Sequence, residues 1–131
     1  MLVLDASVAL EVLLKTPLGA RCFERVLGGG EDLHAPHLID VEFAQVLRRL
    51  TRSAALSSDL AQQALDDLKD LALERHSHTV LLPRIWQLRD SVSAYDAAYI
   101  ALAEGLDAPL ATCDTRLSRS HGHRASVELL R

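Results

Sequence analysis

The sequence holds only two cysteines, Cys22 and Cys113, in unrelated segments and without metal-type spacing. That excludes a disulfide framework, and reduced thiols in a cytoplasmic protein are the expectation. No apolar run approaches the roughly 20 residues that a membrane helix needs. The opening Met1-Leu2-Val3-Leu4-Asp5 lacks a basic stretch followed by an apolar core and a small-residue cleavage site, so no secretory signal is read. Linkers, repeats and low-complexity segments are missing too, and residues 1–131 are expected to form one domain. There is no excess of positive charge. The formal net charge of −4 excludes a protein that coats nucleic acid by bulk attraction. It leaves a nuclease open, because two divalent cations held by carboxylates would cancel it. Lysine is nearly absent: apart from Lys15 and Lys69, the basic residues are arginines, whose planar fork suits phosphate and carboxylate.

What the chain does have is apolar residues, 49% of the total, enough to fill one core. Met1 to Asp5 reads as a buried strand ending in an acid. Ala6 to Lys15 has helical spacing, and Pro17 to Leu27 forms a second helix stopped by Gly28-Gly29-Gly30. A weak strand is expected at Asp32 to Ala35. A long helix follows from His37 to Ser53, with Ile39, Phe43, Val46, Leu47 and Leu50 on one face. Ser57-Ser58-Asp59 opens a helix to about Leu73, and Thr79-Val80-Leu81-Leu82 suggests a strand. Pro83 starts a short helix through Arg89, and Ala94 to Glu104 is an apolar, buried helix ended by Gly105. Pro109 to Cys113 is a strand, Thr115 to Arg119 a helical turn, and Ala125 to Leu130 a last strand. Alternation of this kind predicts about five strands in a parallel sheet, covered by helices on both faces.

Ligands bind beyond the carboxyl ends of the strands in such sheets. Asp5 and Asp114 each follow a predicted strand, and Asp96 sits in the first turn of the helix feeding the Asp114 strand. Glu42 reaches the same edge only if its helix packs across it. Each acid also has a plainer reading. Asp5 and Asp114 suit helix caps, and Ser93-Ala94-Tyr95-Asp96 matches a capping box. Glu42 resists that reading, since it lies beside the apolar stripe of its helix, where a lone carboxylate is costly. Converging acids repel unless protons or cations neutralise them, and an all-oxygen donor set selects Mg²⁺, Mn²⁺ or Ca²⁺.

Four segments together carry a resemblance. They are Leu2-Val3-Leu4-Asp5-Ala6-Ser7, the Glu42 helix, Ser93-Ala94-Tyr95-Asp96-Ala97-Ala98-Tyr99-Ile100-Ala101-Leu102-Ala103 and Leu110-Ala111-Thr112-Cys113-Asp114-Thr115-Arg116-Leu117. In order and spacing the chain resembles PIN-domain proteins over nearly its whole length, and most of all the VapC toxins of bacterial toxin–antitoxin pairs. The resemblance implies a three-layer α/β/α fold around a parallel sheet. It implies a Mg²⁺- or Mn²⁺-dependent endoribonuclease cutting structured RNA, whether tRNA, rRNA or mRNA; the mechanism expected is metal-assisted hydrolysis by in-line attack of water, giving a 5′-phosphate. It implies Asp5, Glu42, Asp96 and Asp114 as catalytic, metal-site residues, with Ser7 and Thr112 as polar neighbours. It implies a homodimer and a protein antitoxin that covers the site. The family often has another acid or amide shortly after the last Asp; here Thr115 and Arg116 follow. Arg116, Arg119 and Arg124, close behind the last acid, are candidates to meet the RNA backbone or else solvated surface residues.

Three other readings stay open. A phosphatase with a nucleophilic Asp needs a second acid two residues on, where this chain has Ser7. A non-catalytic interaction domain would use a partner groove between the helices Ala6 to Leu14 and Pro17 to Leu27. The pairs His76/His78 and His121/His123 have the spacing of strand neighbours that bind Zn²⁺, but no third ligand is evident, and both are read as surface residues.

Overall fold

A computed structural model describes the whole chain, residues 1–131. Its strands are β1 (Leu2–Leu4), β2 (Leu33–Pro36), β3 (Leu73–His76), β4 (Leu110–Thr112) and β5 (Val127–Leu129). All pair in parallel, in the order β3-β2-β1-β4-β5. The chain thus steps outward from β1 to β3, then returns to the other side of β1 for β4 and β5. The reversal leaves a crevice at the carboxyl ends of β1 and β4, which is where open α/β sheets bind ligands.

The helices are α1 (Ala6–Leu13), α2 (Pro17–Phe23), α3 (Leu38–Arg52), α4 (Ser58–Asp70), α5 (Leu82–Gln87), α6 (Ala94–Leu106) and α7 (Thr115–Ser118). A π-helical turn, Glu24–Gly28, prolongs α2, and a 3₁₀ turn, Thr79–Leu81, leads into α5. Helices α1 to α4 pack together on one face of the sheet, while α6, with α5 beside it, lies against β1, β2 and β4 on the other. The two-faced arrangement follows from right-handed crossovers: outward steps place helices on one face and the return step places them on the opposite one. The fold is therefore the three-layer α/β/α arrangement expected.

Local chemistry explains the boundaries. Thr16 caps α2 by accepting from the Gly19 amide at 3.0 Å, with Pro17 at the first helical position. Ser57 and Ser93 cap α4 and α6 in the same way. In α3, Ile39, Phe43 and Leu47 recur every four residues and are all buried. Leu2, Val3 and Leu4 are fully buried on both sides of the central strand, and seven consecutive residues of α6, Ala97 to Ala103, are buried against it.

Several boundaries differ from the sequence expectation by a few residues, among them the end of α2, which passes into the π turn after Phe23. The third strand is Leu73–His76 and not Thr79–Leu82; Val80 is 80% exposed and Leu82 52%. The alternation Leu73-Glu74-Arg75-His76 reads as polar, yet both polar faces find partners, so the ladder forms where the side chains are satisfied rather than where β-propensity peaks. Leu73 accordingly opens β3 and does not close α4. Helix α6 runs through Gly105 to Leu106, and Asp107 takes the left-handed position with φ 51°, a role short polar residues tolerate.

Candidate active site

A cavity of about 520 Å³ opens at the crevice beyond β1 and β4. Asp5, Glu42, Asp96 and Asp114 all line it, together with Ser7, Gln45, Arg49, Tyr95 and Tyr99. Four acids from four separate stretches of chain therefore share one opening. Asp5 comes from the end of β1, Asp114 from the end of β4, Asp96 from the first turn of α6, and Glu42 from α3, which does pack across the edge.

Asp5 is the most tightly held. It is 7% exposed and caps α1, accepting from the Val8 amide at 3.2 Å. Ser7 Oγ donates to one of its oxygens at 2.5 Å, and Thr112 Oγ1 donates to the other. These hydroxyls are anchored in turn: Ser7 Oγ accepts from the Cys113 amide at 3.0 Å and Thr112 Oγ1 from the Asp114 amide at 3.0 Å. One network thus ties the carboxylate of β1 to the segment carrying Asp114. The cap and site readings of Asp5 are both true, because one oxygen can cap a helix while remaining lone pairs face the cavity.

Asp96 shows half of a capping box. Its amide donates to Ser93 Oγ at 3.1 Å, but no bond runs from its carboxylate back to the Ser93 amide, so the carboxylate stays with the cavity. Asp114 caps α7, accepting from the Arg116 amide at 2.8 Å. Glu42 is half-buried and accepts a 2.6 Å hydrogen bond from Tyr99 Oη.

The electrostatics are those of crowded carboxylates. Burial is the first cause raising the Asp5 carboxyl, opposed by its three hydrogen bonds and reinforced by Asp96. Burial also raises Glu42, with Asp96 and Asp5 adding to it against the Tyr99 bond. For Asp96, burial comes first and the Asp114 charge second. Tyr99 is pushed up by burial and by Glu42, so it stays a donor. Among the protein's ion pairs only Asp114 of the four has a partner, Arg116 Nε at 3.8 Å. The donor set is all carboxylate oxygen, and Arg116 and Arg49 offset only part of its charge, so the residues present fit a hard divalent cation, which Asp5, Asp96, Asp114 and Glu42 would hold.

The three arginines named from sequence part company. Arg116 and Arg119 are exposed just beyond Asp114. Arg124 does not join them: its amide donates to Glu104 at 3.0 Å and its guanidinium lies 3.8 Å from the same carboxylate, at the far end of α6. A helix with Asp96 at its start holds Glu104 two turns away, which places Arg124 at the opposite edge of the sheet. Sequence reading also passed over Tyr99, Gln45 and Arg49. The signal was present, since Tyr99 is three residues after Asp96, and Gln45 and Arg49 are three and seven after Glu42, all on shared helix faces.

A PIN-domain family model matches residues 2–121. Ribonuclease VapC12 of Mycobacterium tuberculosis is 41% identical over 130 residues, covering 99% of each chain. Ribonuclease VapC9 of the same organism is 44% identical over 118 residues, 90% of this chain and 89% of that one. Among solved structures, VapBC2 from Rickettsia felis bound to a promoter DNA fragment superposes with a TM-score of 0.70 at 14% identity. That superposition covers 99% of this chain and 98% of the other, and bears on the fold alone.

Proposed function

The chain belongs to the VapC group of the PIN-domain family, and from that premise we propose that it is a divalent-metal-dependent endoribonuclease acting as the toxin of a toxin–antitoxin pair. The observation that carries the metal dependence is the convergence of Asp5, Glu42, Asp96 and Asp114 in one cavity, three of them with carboxyls raised above their ordinary values. Mg²⁺ or Mn²⁺ held there would neutralise the acids, attract the RNA phosphate and make water a stronger acid.

The chain's own residues do the rest. Ser7 and Thr112 lock Asp5 in one orientation, so the opening keeps its shape whether or not RNA is present. Tyr99 fixes one oxygen of Glu42 and leaves the other to take the proton of the attacking water; burial raises this carboxyl above its ordinary value, which makes it a stronger base than a free carboxylate. In-line attack of the water oxygen at phosphorus then breaks the bond to the 3′-oxygen, which takes a proton from solvent to become a 3′-hydroxyl and leaves a 5′-phosphate on the other fragment. Arg49 and Gln45 on α3 and Arg116 beyond Asp114 stand around the mouth and meet the RNA backbone.

Besides the cavity that the antitoxin would cover, a groove of about 410 Å³ between α1 and α2, lined by Val12, Leu13, Phe23 and Leu27, offers it an apolar anchor. Phe23 is 48% exposed there, an apolar side chain that a partner segment would cover. A homodimer belongs to the same proposal.

The test is cleavage of total RNA by the purified protein with Mg²⁺, Mn²⁺ or EDTA, alongside Asp5→Asn and Asp96→Asn. Cuts with 5′-phosphate ends are expected with metal, and none with EDTA or in either variant. Full cleavage by either variant, or in EDTA, ends the proposal.

A further inference from the structure

A second group of ligand atoms lies on the other side of the sheet reversal, away from the acids. His34 on β2 and Glu74 and His76 on β3 offer one ligand atom each, all within 4.8 Å of one another. The backbone dictates the meeting. Glu74 and His76 are two apart on β3 and so share a face, and the parallel register sets His34 opposite Glu74 and Pro36 opposite His76. Arg75, between them, points the other way, toward Asp40 of α3 at 2.8 Å and the Leu68 carbonyl of α4. The three ligand-bearing residues therefore occupy the α6 face of the sheet.

His34 Nδ1 and His76 Nε2 lie 2.8 Å apart, close enough for one nitrogen to donate to the other. Glu74 Oε2 is 3.5 Å from the same His34 nitrogen and has no arginine or lysine partner. The His34 ring is 5% exposed, and its other nitrogen, Nε2, is buried with no hydrogen-bond partner. All of this ring's polar bonding is thus on the edge facing His76 and Glu74, which makes Nδ1 the atom that His34 offers to the cluster. Glu74, with 68% of its side chain exposed, is free to swing, and half-buried His76 leaves the cluster open to solvent.

We infer that His34, Glu74 and His76 form a transition-metal site, with Zn²⁺ as its ion. Two imidazoles and one carboxylate are the ligand set of open, three-ligand zinc sites, whose fourth position is taken by water. The set differs in kind from the all-oxygen acids of the cavity, which suit hard cations. Zinc–nitrogen bonds of about 2.0–2.1 Å place tetrahedral ligand nitrogens roughly 3.3 Å apart, so the two rings need to part by about half an ångström. Exposed Glu74 closes the third position by a rotamer change. The bound ion ties edge strand β3 to β2 and stabilises the sheet by mass action. This inference is independent of the nuclease proposal, since none of the three residues lines the acidic cavity.

The experiment is calorimetric Zn²⁺ titration of the full chain at about pH 7.5, above the ordinary imidazole value, with excess Mg²⁺ to occupy the acidic cavity. Co²⁺ absorption and thermal midpoints accompany it. Wild-type protein is expected to bind one Zn²⁺ per chain, show visible Co²⁺ bands and gain thermal stability with zinc. His76→Ala is expected to weaken binding by about 100-fold or more, beyond the 10–100-fold typical of losing a supporting group. Glu74→Gln, on an exposed side chain that leaves folding intact, weakens it at least about tenfold and decides the matter if His76→Ala does not fold. Absence of zinc binding in the wild type, or binding unchanged in the folded variants, overturns the inference.

Discussion

Tyr99 Oη donates a 2.6 Å hydrogen bond to Glu42, a residue 57 positions earlier in the chain. The bond joins α6, on one face of the sheet, to α3, on the other, across the carboxyl ends of the strands. It accounts for how a glutamate beside an apolar stripe is tolerated, and for why it points into the cavity.

Removing that hydroxyl alone is informative. Tyr99→Phe keeps the buried ring, so circular dichroism is expected to stay unchanged. Glu42 loses the donor that holds it, its carboxyl rises further, and kcat for RNA cleavage is expected to fall by about tenfold or more, as when a ligand's support is lost. An unchanged kcat would show that Glu42 needs no positioning.

The acids also set a pH dependence. Asp5, Glu42 and Asp96 all have carboxyls raised above their ordinary values, by burial first. A group raised in this way stabilises the fold fully below its unfolded value, and the contribution is lost as pH rises through the folded one. Metal-free protein is therefore expected to gain in Tm as pH falls from about 7.5 toward the carboxylate range. Glu104 has the opposite sign, because Arg84 lowers its carboxyl: its contribution is present above the ordinary value of 4.5 and fades as pH falls through the lowered one. Calorimetry in EDTA should show the rise and then a turnover, and Mg²⁺ should flatten the rise. A Tm that drops steadily from neutral pH downward contradicts the assignment.

Gly19 is where α2 meets α1. A Cβ there would stand 1.8 Å from the Glu11 carbonyl oxygen, a backbone atom that cannot move aside alone. Gly19→Ala is expected to cost about 1–3 kcal/mol or more, the range for forcing extra atoms into a packed interface. Urea unfolding measures it; a neutral result would mean the helices part freely.

Arg49 and Arg124 should separate in RNA binding. Arg49→Ala removes a charge from the cavity mouth and is expected to raise KM and reduce the salt dependence of RNA affinity by about one unit of slope. Arg124→Ala, at the far edge beside Glu104, should leave both unchanged. Affinity measured at several salt concentrations checks the pair, and equal effects would mean RNA runs over both edges.

Much of this molecule is legible in its sequence. Strand β1, the buried α6 and the switch from helical to strand periodicity are local patterns, so their positions follow from neighbouring residues. Asp5, Asp96 and Asp114 come to one edge by topology, since all follow a strand or open a helix at its carboxyl end. Caps such as Thr16, Ser57 and Ser93 are equally local, being bonds to amides three residues on. The sequence by itself therefore determined the order of elements and the presence of acids at the crevice. Only the tertiary structure decided that α3 crosses the edge to deliver Glu42 to Tyr99. It also decided that Leu73–His76 is the ladder strand, that Arg124 belongs to Glu104, and that His34 meets His76. Each of those depends on which surfaces of distant segments face one another. Packing of the whole core selects those pairings, and no short stretch of chain carries that information.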